Sequence, residues 1–75
     1  MQADEIQSWY TQAMARPGSI DRAEIELRKA TAAAFNRQHG IVDADRLADQ
    51  ELYIQGKMEI EEYSRYLACK AMVRP

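Results

Sequence analysis

The chain is short of nearly every residue type from which a chemical centre is built. It has one cysteine, Cys69, and one histidine, His39, in 75 residues. A single thiol cannot close an internal disulfide, and one Cys with one His does not make a zinc site. Cys69 falls on an apolar helix face, where it is expected to behave as a small hydrophobe. The neighbouring cation, Lys70, points elsewhere on the helix and does not activate the thiol. His39 stands beside Gly40 at a helix end, and is read as a partner of terminal carbonyls rather than a general base. Two carboxylate clusters, Asp43/Asp45/Asp49 and Glu59/Glu61/Glu62, lack the twelve-residue calcium-loop spacing with its internal glycine and terminal glutamate. Capping and solvation account for both. The expectation is therefore a non-enzymatic protein with no catalytic residue, no metal and no cofactor.

Also missing is any apolar run near the roughly 20 residues that cross a bilayer, or a basic segment leading into an apolar one at the start. No membrane role is expected, and the cytoplasm is the expected compartment. Charge of one sign is missing too: ten basic residues face twelve acidic ones, a net charge of −2. The cations are spaced along the chain, whereas a surface that tracks phosphates needs several converging on one face. There is no internal repeat, no low-complexity tract and no strand-like alternation.

What is present is helical periodicity. Ile6, Trp9, Tyr10, Ala13 and Met14 recur at the spacing of an amphipathic helix over about 3–16, ended by Pro17-Gly18. Ser19 or Asp21 can cap a second helix, about 20–38, whose expected core stripe is Ile20, Ala23, Leu27, Ala30 or Thr31, and Ala34, with Phe35 at its border. Ile25 and Ala32 lie on the opposite flank. Gly40 closes that helix. Asp43 caps a third, about 44–55, with Leu47, Leu52 and Ile54 inward and Asp49 and Glu51 outward. Gly56 stops it, and Glu59 opens a fourth, about 59–73. That helix carries Ile60, Tyr63, Leu67 and Ala71 as its expected core stripe, with Tyr66, Cys69 and Val73 on an adjoining face. Tyr53 and Tyr63 are placed to meet across the Gly56 hairpin. The short connections predict an all-α bundle of three to four short antiparallel helices in a single domain.

Such a chain buries only about 60% of the surface its unfolded form exposes. A second copy or a partner protein is the natural complement. Aromatic residues are enriched at binding hot spots, and Trp9, Tyr10, Ile25, Phe35 and Tyr66 are the candidate partner contacts. A dimeric helix-turn-helix DNA regulator is the alternative. Its recognition helix would present Arg46 among Asp43, Asp45, Asp49 and Glu51, or a fourth helix opening on three glutamates, so it would meet phosphates with the wrong sign.

The run Arg28-Lys29-Ala30-Thr31-Ala32-Ala33-Ala34-Phe35-Asn36-Arg37-Gln38-His39-Gly40, followed by Tyr53-Ile54-Gln55-Gly56-Lys57-Met58-Glu59-Ile60-Glu61-Glu62-Tyr63, resembles the small VbhA-type antitoxins. The resemblance spans about Asp21 to Lys70. It implies an alanine-rich helix that binds a Fic-domain adenylyltransferase and pushes a glutamate into its ATP site. That glutamate follows a Ser or Thr by four residues and precedes Gly or Asn. This chain departs from the pattern at the glutamate itself. Aligned on Gly40, the serine position is Phe35 and the glutamate position His39; aligned on Thr31, the glutamate position is Phe35. What the resemblance leaves is an inhibitor-like accessory protein, of the kind phages and plasmids carry, binding through a helix face.

Overall fold

The computed structural model describes residues 2–73, and these form four helices: α1 (Ala3–Met14), α2 (Arg22–His39), α3 (Ala44–Ile54) and α4 (Ile60–Met72). No strand occurs among the described residues. The helix starts follow their capping chemistry. Asp21 accepts from the Glu24 amide at 2.9 Å and Asp43 from the Arg46 amide at 3.3 Å, each satisfying an orphan donor of a first turn. Glu5 accepts from the Gln2 amide at 3.0 Å and so closes the start of α1. α1 stops at Met14, two residues short of the expected end, since Pro17 forbids the helical geometry just before it.

Two glycines in the left-handed region end α2 and α3: Gly40 at φ 64° and Gly56 at φ 71°. After α3 the Lys57 amide returns to the Leu52 carbonyl (2.9 Å) and the Gly56 amide to the Tyr53 carbonyl (3.0 Å), the bond pair of a Schellman stop. The same backbone conformation carries different burdens at the two sites. A Cβ at Gly40 would meet nothing within 4 Å, whereas one at Gly56 would lie 2.8 Å from Ile20 Cγ1 and 3.2 Å from the Ser19 amide nitrogen. Gly40→Ala should therefore cost about 1 kcal/mol for the backbone alone. Gly56→Ala adds overpacking, for a total of about 2–4 kcal/mol. Urea denaturation of the two variants checks the difference; equal losses would mean that the Ile20 contact is immaterial.

The core lies among α1, α3, α4 and the Gly56 turn. Ile6, Ala13, Leu52, Met58 and Tyr66 form one buried cluster, with Trp9, Tyr10, Met14, Tyr63, Cys69 and Val73 packed around it. Met58 belongs to the turn and yet plugs the core, since its amide folds back on the Leu52 carbonyl (2.9 Å). The Trp9 indole meets the Tyr66 ring edge-on at 5.4 Å, and Tyr53 stacks with Tyr63 at 5.8 Å across the hairpin.

α2 stands apart. Its backbone approaches only α3 among the described helices, and none of its 18 residues is fully buried. The face turned toward α3 carries Ile25, Arg28, Ala32 and Asn36, all half-buried. This reverses the expected orientation: Ala23, Leu27, Ala30 and Ala34 are exposed, Leu27 by 61%. Polar contacts decide it. Arg28 donates to the Tyr53 carbonyl at 2.8 Å, and the Asn36 and Gln50 amides exchange hydrogen bonds of 2.9 and 2.8 Å. α4 is likewise rotated from the expected setting. Tyr66 goes inward, while Ile60, Leu67 and Ala71 are exposed. On α3, Leu52 and Ile54 are buried as expected, but Leu47 is exposed and Asp49, expected outward, is 4% exposed.

Candidate functional site

The rotations of α2 and α4 leave a groove between them with α3 as its floor. Thr31, Ala32 and Phe35 line one wall, and Ile60, Tyr63, Leu67 and Ala71 the other. Gln50, Tyr53 and Ile54 form the floor, Ile41 closes one side, and the space measures about 710 Å³. Its lining is chiefly apolar, and Phe35 and Ile60 are 50% and 53% exposed on opposite walls.

Each end of the groove is polar. At one end Arg28 joins three elements. Its guanidinium bonds to Glu24 (2.9 Å), the Tyr53 carbonyl (2.8 Å) and Glu59 (3.2 Å), and lies 4.0 Å over the Tyr53 ring. Burial works to lower the Arg28 pKa, but the hydrogen bonds it donates to Glu24 and Glu59 help to outweigh it and leave it raised, so the cation is permanent. At the other end Asp49 accepts from the Tyr66 hydroxyl at 2.9 Å and from Lys70 at 2.6 Å, and Lys70 also pairs with Asp45 at 2.9 Å. Burial and the Asp49 bond push the Tyr66 hydroxyl above the ordinary tyrosine range. It stays a neutral donor at any physiological pH.

Away from the groove, α4 is joined to α1 by a polar junction. Glu62 takes a forked pair from Arg16 (2.7 and 3.0 Å) and the indole N–H of Trp9 (2.9 Å). Lys57 returns to the Arg16 carbonyl, and Arg16 to the Lys57 carbonyl at 3.0 Å. The Arg16 bond holds the Glu62 carboxyl below its ordinary 4.5, against the opposing effect of burial. A group whose folded pKa is depressed contributes stability above its unfolded value and loses it as pH falls through the folded one. The urea midpoint should thus decline as pH falls through the carboxylate range and below it, and Glu62→Gln should flatten part of that decline. An unchanged profile in the variant would place the acid sensitivity elsewhere.

Of the five aromatic and aliphatic residues expected to meet a partner, the fold brings only Phe35 to the groove. Tyr66 is 1% exposed and belongs to the core, because its hydroxyl found a buried carboxylate. Trp9 and Tyr10 are half-buried against that core. Ile25 lines a separate, smaller recess between α2 and α3, together with Gly18 and Ile54. The groove residues that the sequence reading did not assign to a partner, Ile60 and Leu67, were visible there as a stripe, but as a core stripe. No amphipathic pattern says by itself what lies opposite.

Among the described residues no group of three or more His, Cys, Asp or Glu could hold a metal ion. No helix of the described residues is long and apolar enough to cross a membrane. What the arrangement can do is cover apolar side chains of another chain and pair with polar groups at its ends. No protein-family model, curated protein or solved structure matches this chain.

Proposed function

We propose that this is a non-enzymatic protein-binding module that receives a helix face of another chain in the α2–α4 groove. The observation that carries the reading is the exposure of apolar side chains around the groove itself: Phe35 on the α2 wall and Ile60, Leu67 and Ala71 on the α4 wall are all exposed. A helix laid into an apolar groove is a common mode of recognition, with anchors at i, i+3, i+4 and i+7. Phe35 and Leu67 are the anchors offered from the two walls, and Arg28, Arg46 and Asp45 provide a polar rim.

The resemblance to VbhA-type antitoxins gives this binding an inhibitory sense. Where that motif would carry its glutamate, Phe35 and His39 stand with ring centroids 4.3 Å apart. Inhibition by this chain would therefore come from occupying a partner's surface, with no carboxylate delivered to a nucleotide site.

The test is position-dependent photo-crosslinking. A benzoylphenylalanine in place of Phe35 or Leu67 should yield a discrete protein adduct in host lysate, while the same probe at Gln12, exposed on α1, should yield none. Equal labelling from all three positions, or from none, would overturn the reading.

A further inference from the structure

We infer that the occupant of the groove is a second copy of this chain, packed about a two-fold axis so that each copy fills the other's groove. The inference rests on the protein-binding reading and names its partner. The first support is area. The molecule exposes 5373 Å², whereas a folded monomer of 8.6 kDa exposes about 4,700 Å². The excess of about 700 Å² marks a fold that leaves more surface uncovered than a monomer of its mass usually does. The radius of gyration agrees: 12.6 Å against about 11 Å for a compact chain of 75 residues. The extents of 35 × 30 × 19 Å show that the molecule is flattened.

The second support is charge. A self-complementary patch must not repel its own copy, because at a two-fold interface each surface meets itself. The groove lining balances three cations, Arg28, Arg46 and Lys70, against three carboxylates, Asp43, Asp45 and Asp49. A patch shaped for a basic or an acidic partner would carry an excess of one sign. The third is shape. The half-exposed Phe35 ring is a knob on the wall of the same patch that contains the hole, which is what an isologous contact requires.

Sedimentation equilibrium of the full chain tests this. The expected mass is twice 8.6 kDa, falling toward the single mass on dilution. Phe35→Glu and Leu67→Glu place a charge in the contact twice per dimer, at positions already part-exposed in the single chain. Each should weaken association at least about a hundredfold. Circular dichroism and Trp9 emission, unchanged in both, show that the fold survives. Leu27→Glu, off the groove, should leave the mass doubled. A single mass at high micromolar concentration overturns the inference, as does dissociation by Leu27→Glu but not by the groove variants. The crosslinking probe at position 35 separates the two readings. A monomer whose position 35 captures a different protein ends the second-copy inference and keeps the binding function; a monomer that captures nothing ends both.

Discussion

An Asp49→Ala variant should lose about 3 kcal/mol of stability in chemical denaturation, because removing one partner of a buried ion pair strands the other. Asp49 is nearly sealed from solvent, and its two oxygens serve Tyr66 and Lys70 separately. Without them the Tyr66 hydroxyl, in the core beside Trp9, has no acceptor, and an unsatisfied buried donor costs about 1–3 kcal/mol. Lys70 fares better, since it retains Asp45 and some solvent, which keeps the figure at the lower end of the range. Asp49→Asn keeps an acceptor for Tyr66 and loses only the charge, so it should cost about half as much. An alanine variant no less stable than the asparagine one would show that the Tyr66 bond contributes nothing.

The second large effect is expected at Leu52, which is fully buried at the centre of the cluster with Ile6, Ala13, Met58 and Tyr66. Leu52→Ala should cost about 3–4 kcal/mol through lost burial and the cavity left behind. A domain of this length has only about 4–11 kcal/mol in all, so much of its stability goes with one side chain. The site has little means of collapse, because the Leu52 carbonyl also anchors the Lys57 and Met58 amides and fixes the turn that closes the core. Trp9 emission during urea denaturation reads the loss directly, since the indole packs on Tyr66. A loss of under about 1 kcal/mol would mean that Met58 repacks into the space.

The helices and their ends were legible in the sequence because their signals are local. Asp21, Asp43, Gly40 and Gly56 act through atoms a few residues away, and each ends or opens a helix where its chemistry says it should. The Tyr53–Tyr63 stack was legible for the same reason, the two rings lying at matching places on either arm of a tight turn. The facing of α2 and α4 was not. Both helices have apolar residues on more than one flank, and periodicity cannot choose between flanks. The choice was made by bonds between residues distant in sequence: Arg28 with Tyr53, Asn36 with Gln50, Tyr66 with Asp49. Asp49 illustrates the difficulty. By composition it belonged to a solvated acidic face, and only the meeting of α3 with α4 supplied the hydroxyl and ammonium that make its burial affordable. The candidate groove went unread for the same reason, since its α4 wall has the pattern of a core and its α2 wall, Thr31, Ala32 and Phe35, straddles two flanks of that helix.

The Arg28 junction has a consequence for how the molecule comes apart. α1, α3 and α4 share one buried apolar cluster, which salt leaves intact or strengthens, and add to it the Arg16–Glu62 and Lys70–Asp45/Asp49 ion pairs. α2 is held by a guanidinium, a pair of amides and a few partly covered side chains, and salt weakens the ionic share of that grip. The protein thus has two tiers of cohesion, a body with a sealed apolar cluster and an arm that contributes no buried residue to it. Release of the arm would remove one wall of the groove without opening that cluster, so amide hydrogen exchange should be faster along α2 than at Leu52 and Tyr66.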